Sequence, residues 1–92
     1  MWYVYILECE NKALYVGMTD NLDRRFDEHQ TGKGGHYTAY SRPVKILYHE
    51  EFELRSDAEN RECQIKRWTH EKKLALASGD IKKLKSLSIS RD

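Results

Sequence analysis

The chain has 92 residues, of which 39% are hydrophobic, and its formal net charge is +1 at neutral pH. This length gives one domain with a single core, which we expect to span residues 1–88 before a disordered tail at 89–92. The small net charge argues against a nucleic-acid coat protein, and the isolated cysteines Cys9 and Cys63 predict neither a disulfide framework nor a structural zinc site. The apolar start, residues 1–7, is far shorter than the roughly 20 residues of a membrane span, so we expect a cytoplasmic protein.

A β-hairpin is predicted at the start of the chain. Residues 2–7 and 13–18 are rich in β-branched and aromatic residues, and the residues between them are typical of a turn. Facing residues of a hairpin share a side of the sheet, so a turn with an odd number of residues would place Tyr5 and Tyr15 on one face. A turn with an even number would separate them, and periodicity alone does not choose between the two.

The next element is predicted to be a helix of about ten residues that Thr19 or Asp20 caps. Leu22 belongs to its apolar stripe. At the helical repeat, His29 and Arg25 fall about 20° and about 60° to one side of Leu22. Both side chains are therefore expected at the inward edge of the helix.

A third strand and further helices follow. Residues 43–52 are predicted to be the strand, and Ser56 with Glu59 forms a capping box that predicts the start of a second helix. On that helix Glu62 lies only about 40° from the apolar Ala58, a poor position for a residue that serves solubility alone.

The remaining pattern predicts a helix capped by Thr69, followed by a stop and restart at Gly79-Asp80. The predicted fold is α+β: a small three-stranded antiparallel sheet with helices packed on it, in the order β-β-α-β-α-α.

Several spaced motifs resemble the GIY-YIG nuclease family. Tyr3-Val4-Tyr5 stands where the family has Gly-Ile-Tyr, Tyr15-Val16-Gly17 follows ten residues later, and Arg25 comes after ten more. Ala58-x-x-x-Glu62-x-x-x-Lys66 continues the pattern, although several relatives carry Asn or Gln at the position of Lys66. The resemblance covers roughly residues 3–77 and is strongest to the small, stand-alone, single-domain, UPF0213-like bacterial members.

The resemblance implies a metal-dependent endonuclease that hydrolyses DNA phosphodiester bonds with Mg²⁺ or Mn²⁺, in DNA repair or processing. The catalytic residues that it implies are Tyr5, Tyr15, Arg25, His29 and Glu62. Glu62 would be the metal ligand, because hydrated Mg²⁺ needs only one or two protein carboxylates. Arg25 offers a fork of donors to phosphate oxygens. One tyrosine would deprotonate water, and which one stays open, while His29 would bind a phosphate or position a tyrosine.

DNA contacts are expected from a second group of residues, Lys33, Tyr37, Arg42 and Lys66. Residues 66–85 hold seven basic and two acidic residues, a basic flank that would guide a polyanion. So small a chain covers few phosphates, which favours recognition of DNA shape, such as nicks or branches, over base sequence. A partner protein is a further candidate source of specificity.

Two alternatives retain the fold without catalysis. A nucleic-acid-binding module would stack unpaired bases on Tyr3, Tyr37, Tyr40 and Trp68, and a protein-interaction module would keep no response to metal. Glu62 argues against the first, since a carboxylate repels phosphate unless a metal intervenes. The nuclease reading requires all five catalytic groups to converge, on the tyrosine face of the sheet and under the edges of both helices.

Overall fold

The computed structural model describes residues 1–30 and 43–89, with side chains for residues 1–30 and 43–86. Within them lies one antiparallel sheet of strand order β2-β1-β3. The strands are β1 (Trp2–Cys9), β2 (Leu14–Thr19) and β3 (Pro43–Phe52). The helices of the described ranges are α1 (Leu22–Gln30), α2 (Arg55–Lys66), α3 (His70–Ser78) and α4 (Ile81–Ile89). The α+β fold is confirmed, and the predicted restart after Gly79-Asp80 adds α4 to the predicted order.

A three-residue turn joins β1 to β2. The amide of Cys9 donates to the carbonyl of Ala13 at 2.9 Å, and the amide of Lys12 donates back to the carbonyl of Cys9 at 2.9 Å. Lys12 has a φ of 68°, the left-handed conformation that commonly closes such hairpins. The turn therefore has the odd length that the tyrosine pair requires.

This turn sets the register of the hairpin. Tyr5 pairs with Gly17 and Leu7 pairs with Tyr15. Because facing residues share a side, both tyrosines lie on one face of the sheet, as convergence of the catalytic groups requires. The contacts of His29 with both tyrosine rings place α1 on this face.

The opposite face carries the main hydrophobic core. Val4, Ile6 and Val16 point to this side and pack against Ala58 and Ile65 of α2, with Leu76 of α3 in the same cluster. The prediction that the edges of both helices overhang the tyrosine face is therefore wrong for α2. Its apolar stripe was recognised correctly, but a stripe does not say which face of a sheet it covers.

The helix starts differ from two of the predictions. The side-chain oxygen of Asn21 accepts from the amide of Arg24 at 3.0 Å, so Asn21 caps α1 in place of Thr19 or Asp20. Thr19 instead accepts from the amide of Asn21 at 3.1 Å, which orders the residue that caps the helix.

The predicted capping box at the start of α2 is also wrong. α2 begins at Arg55, so Ser56 already lies inside the helix, and Leu54 at the N-cap position provides no side-chain bond. The cap of α3 is as predicted, since Thr69 Oγ1 accepts from the amide of Lys72 at 3.1 Å. Gly79, with a φ of 76°, ends α3.

The described helices include none that is long and apolar enough to cross a membrane. The last of them, α4, runs to Ile89, the first residue of the predicted tail. Residues 90–92 lie outside the described residues.

Candidate active site

The Tyr5 ring lies against Gly17, its partner on β2. Tyr5 is only 2% exposed. A Cβ atom on Gly17 would come within 2.7 Å of Tyr5 Cζ and 3.2 Å of Tyr15 Cε1, and closer still to the Tyr5 hydroxyl. Residue 17 must therefore be glycine for the phenol to lie across β2.

The Tyr5 hydroxyl joins two side chains of α1. It lies 2.9 Å from Nε2 of His29, and Arg25 donates a hydrogen bond to it. Burial raises the pKa of Tyr5 to about 12, with the bond from Arg25 opposing. Burial, followed by the charge of Arg25, lowers the pKa of His29 to about 4. At neutral pH the phenol is protonated and the imidazole is neutral, so the tautomer of His29 sets which of the two groups donates in the bond between them.

Tyr15 and Arg25 complete this side of the site. The Tyr15 ring packs edge-on against His29 with 4.8 Å between centroids, and its centroid is 6.5 Å from that of Tyr5. Arg25 Nη1 lies 3.2 Å from Glu28 Oε1. Burial alone would lower the pKa of Arg25, but hydrogen bonds to Tyr5 and Glu28 raise it. The guanidinium is thus held charged and in place. The role of Glu28 was not predicted, although its i,i+3 spacing from Arg25 was the available signal.

Glu62 approaches the same cluster from α2. Among the influences on the pKa of Tyr5, the negative charge of Glu62 is the weakest of those that raise it, after burial and Tyr15. The Glu62 side chain is 18% exposed and Oε2 lies 3.4 Å from Nζ of Lys66. Four of the five predicted catalytic residues therefore form one contiguous cluster: Tyr5, Tyr15, Arg25 and His29. Glu62 acts on this cluster through its negative charge, which affects the pKa of Tyr5.

Comparison with known proteins identifies the family, because residues 1–75 match the GIY-YIG catalytic domain. The chain belongs to the GIY-YIG family. It carries a nuclease domain of this family, as its motifs predict. A UPF0213 protein of Clostridium perfringens is 46% identical over 78 residues, 85% of this chain and 84% of the relative. A UPF0213 protein of Haloquadratum walsbyi is 47% identical over 75 residues, 82% and 84% of the two chains.

Solved structures lead to the same family. The solution NMR structure of the UPF0213 protein BH0048 from Bacillus halodurans is 37% identical with a TM-score of 0.54, over 85% of this chain and 84% of that one. The protein EF2693 from E. faecalis is 38% identical with a TM-score of 0.54, over 77% and 76% of the two chains. The predicted resemblance to UPF0213-like members of the GIY-YIG family is confirmed.

The donor set of this GIY-YIG site fits one kind of metal ion. Residues 1–30 and 43–89 contain no group of three His, Cys, Asp or Glu side chains that would hold a metal by themselves. Mg²⁺ and Mn²⁺ keep several waters and need only one or two carboxylates, with substrate phosphate supplying further oxygens. Glu62 keeps 18% of its side chain exposed, and within the described residues its ion pair is with the half-exposed Lys66, so it fits a hydrated ion shared with substrate.

The predicted DNA contacts are only partly described. Lys33, Tyr37 and Arg42 lie outside the described residues, as does Tyr40, and Lys66 is paired with Glu62. Trp68 is a poor stacking platform, because its ring is already contacted by Arg61 at 5.3 Å and by Lys72 at 4.2 Å from the centroid.

A network that sequence reasoning missed anchors α2 to β3. Arg61 donates to both carboxylate oxygens of Glu50, each at 2.9 Å, and the Tyr48 hydroxyl donates to the same carboxylate at 2.5 Å. Burial would raise the pKa of Glu50, but the bonds from Arg61 and Tyr48 lower it. Because Arg61 directly precedes Glu62, this bidentate pair holds the part of α2 that carries the candidate metal ligand.

Proposed function

We propose that the chain is a metal-dependent endonuclease that hydrolyses phosphodiester bonds of DNA. The observation that carries the proposal is the Tyr5 phenol, held between His29 and Arg25 and beside Tyr15 in a domain of a catalytic family. Phosphodiester hydrolysis needs a base for water, positive charge for the phosphorus centre and help for the leaving oxygen. Each need has a candidate group in this cluster.

Arg25 supplies the positive charge. Its guanidinium presents planar donors that match phosphate oxygens, a geometry that lysine does not share. Hydrogen bonds to Tyr5 and Glu28 restrict its rotamers before substrate arrives. In this role the guanidinium binds the oxygens on which negative charge builds up.

Tyr15 is the better candidate for the base. With a pKa of about 12, Tyr5 is ionised in only about 10⁻⁵ of molecules at pH 7, and its hydroxyl is already engaged. Tyr15 is half-buried on the same face and has contact with His29. We assign Tyr15 to orienting and deprotonating water, and Tyr5 with His29 to positioning Arg25 and Tyr15.

Glu62 would hold Mg²⁺ or Mn²⁺. When bound, such an ion polarises the phosphate and stabilises the departing 3′ oxygen. With an ion bound, Glu62 would give up its ion pair with Lys66, and the half-exposed Lys66 side chain would be available to the DNA backbone.

We extend the proposal to the substrate. A domain of 92 residues contacts few phosphates, and it would bind with modest, salt-sensitive affinity. Nicked or branched DNA presents phosphates in an arrangement that a small site can recognise without reading bases. The corresponding role is DNA repair or processing, with a partner protein adding specificity.

Cleavage of supercoiled, nicked and branched DNA, with and without Mg²⁺ or Mn²⁺, tests the proposal. Glu62→Ala should abolish cleavage and retain DNA binding, because it removes the metal ligand and one negative charge. Glu59→Ala is the matched control, since Glu59 forms a similar i,i+4 pair with Arg55 on the same helix. Equal rates for Glu62→Ala and the wild type would refute the role of the metal ligand.

Arg25→Lys tests the charge-stabilising group. It should lower the rate roughly 10²-fold or more, as loss of a positioned donor does in other enzymes. The adjacent Arg24, which pairs with Asp20 at the surface, provides the control Arg24→Lys. A normal rate for Arg25→Lys would reassign Arg25 to structure.

A further inference from the structure

A polar groove of about 350 Å³ lies between α2 and the start of α3. Its lining includes none of the five candidate catalytic residues and no acidic side chain. The residues that line it are Asn60, Cys63, Gln64, Arg67, Trp68 and Lys72. The groove thus combines two cations, two amides and one indole, a set of hydrogen-bond donors suited to an anion.

Lys72 is the most unusual of these residues. It is only 7% exposed, and its Nζ lies 4.2 Å from the centroid of the Trp68 ring. Within the described residues its amine has no carboxylate partner. The stem of Lys72 is buried while its cationic head lies against an indole, a contact that is weaker than a desolvated ion pair.

The helix that carries Lys72 adds to the excess of positive charge in the groove. Lys72 is the third residue of α3, in the first turn, where backbone amides already give partial positive charge. A lysine there is unfavourable for the isolated helix. An anion in the groove would reverse both effects, because it would be attracted by the lysine and by the helix terminus.

The other polar groups of the groove point to the same class of ligand. Arg67 is exposed at the end of α2, and its guanidinium forms no ion pair within the described part of the chain. Gln64 accepts from Arg61 through Oε1 at 2.8 Å, which leaves its amide hydrogens as donors. Since the Trp68 ring is already contacted by two cations, the groove recognises charge and not a stacked base.

We propose that this groove binds a backbone phosphate of DNA, as a second contact beyond the phosphate that is cleaved. The inference rests on the proposed nuclease function. Arg67 lies about 140° around α2 from Glu62, so the groove would contact a phosphate on a part of the DNA away from the cleaved bond. Such a contact is independent of base sequence and strengthens binding at low salt.

The salt dependence of DNA binding tests the groove. Fluorescence anisotropy with a labelled duplex in EDTA measures affinity without cleavage. Arg67→Gln should reduce the slope of log K against log salt by about 0.9, the loss of one phosphate contact. Arg55→Gln is the matched control on the same helix, roughly 18 Å away, and should leave the slope unchanged. Equal slopes for both variants would overturn the inference.

Lys72→Met separates ligand binding from a structural role. If the lysine is kept for an anion, the variant binds DNA more weakly while its melting temperature stays level or rises. Lys72→Arg should restore affinity. A fall in melting temperature together with unchanged affinity would mean that Lys72 is structural, and the inference would fail.

Amide NMR shifts distinguish the sources of phosphate. Duplex DNA should shift the amides of Asn60 and Cys63 at concentrations where inorganic phosphate and a mononucleotide do not. Saturation by inorganic phosphate alone, without competition from duplex, would assign the groove to a free anion and overturn the DNA contact. If cleavage depends on Glu62 but Arg67→Gln has the same salt slope as its control Arg55→Gln, the DNA contact in the groove is refuted and the nuclease function is not. A wild type that neither binds nor cleaves DNA would refute both.

Discussion

Substitution of Gly17 by alanine perturbs the centre of the candidate site through one methyl group. An added Cβ would lie 2.7 Å from Tyr5 Cζ and 3.2 Å from Tyr15 Cε1. Tyr5 is enclosed on all sides, so its ring cannot move away without leaving His29. The expected result is a displaced phenol and a loosened Arg25.

The free-energy cost follows from these contacts. Overpacking of a buried site costs about 1–3 kcal/mol, and the weakened bonds of Tyr5 to His29 and Arg25 cost about 0.5–1.5 kcal/mol each. These contributions add up to about 2–6 kcal/mol, and their midpoint of about 4 kcal/mol lowers the melting temperature of a domain this size by roughly 16–32 °C. The protein should remain folded at 25 °C but lose cleavage activity.

Gly79→Ala is the control for the loss of a glycine. Gly79 has a φ of 76° and no atom within 4 Å of an added Cβ, so only the backbone conformation is penalised, by about 1 kcal/mol. Urea denaturation and DNA cleavage of both variants provide the test. Cleavage should be lost in Gly17→Ala and kept in Gly79→Ala. Wild-type stability and activity in Gly17→Ala would refute the packing argument.

Three further predictions concern single side chains. The pKa of His29 is lowered to about 4, so the stability that its neutral form contributes is complete above pH 6.5 and falls by about 3 kcal/mol as the pH drops toward 4. Urea denaturation across this pH range should show the fall in the wild type and not in His29→Asn. The same pH dependence of the unfolding free energy in both proteins would contradict the prediction. Tyr15→Phe should eliminate DNA cleavage and change the free energy of unfolding by less than about 1 kcal/mol, whereas normal turnover would exclude Tyr15 as the base. Arg61→Met should lower the free energy of unfolding by about 2 kcal/mol in thermal denaturation, because it leaves the largely buried Glu50 carboxylate without its ion-pair partner. Arg55→Met, at an exposed ion pair, should lower it by less than about 1 kcal/mol.

Features with a local cause were predictable from the sequence. The phase of α1 placed His29 and Arg25 on its inward edge, and both contact Tyr5 as a result. The cap at Thr69 was visible for the same reason, because a cap and its helix are adjacent in sequence. The face shared by Tyr5 and Tyr15 depended on turn length, which only the family resemblance supplied.

Features that depend on tertiary packing were not predictable. The apolar positions of α2 identified a buried stripe but not the sheet face that it covers. The ion pair between Glu50 and Arg61 joins a strand to a helix, and the two residues are too far apart in sequence for a helical i,i+3 or i,i+4 spacing to predict it. The capping box predicted at Ser56 does not form, because α2 already starts at Arg55, shortly after the end of β3.

The division of the site between two layers has a consequence for how mutations act. The tyrosines move with the sheet, and Glu62 moves with α2, so their separation is set by the hydrophobic packing of Ala58 and Ile65 against β1 and β2. An ångström of displacement in a catalytic group is enough to slow a reaction about a hundredfold. Conservative substitutions in that core should therefore abolish DNA cleavage while the protein is still folded. Cleavage activity is then more sensitive to core packing than the melting temperature is.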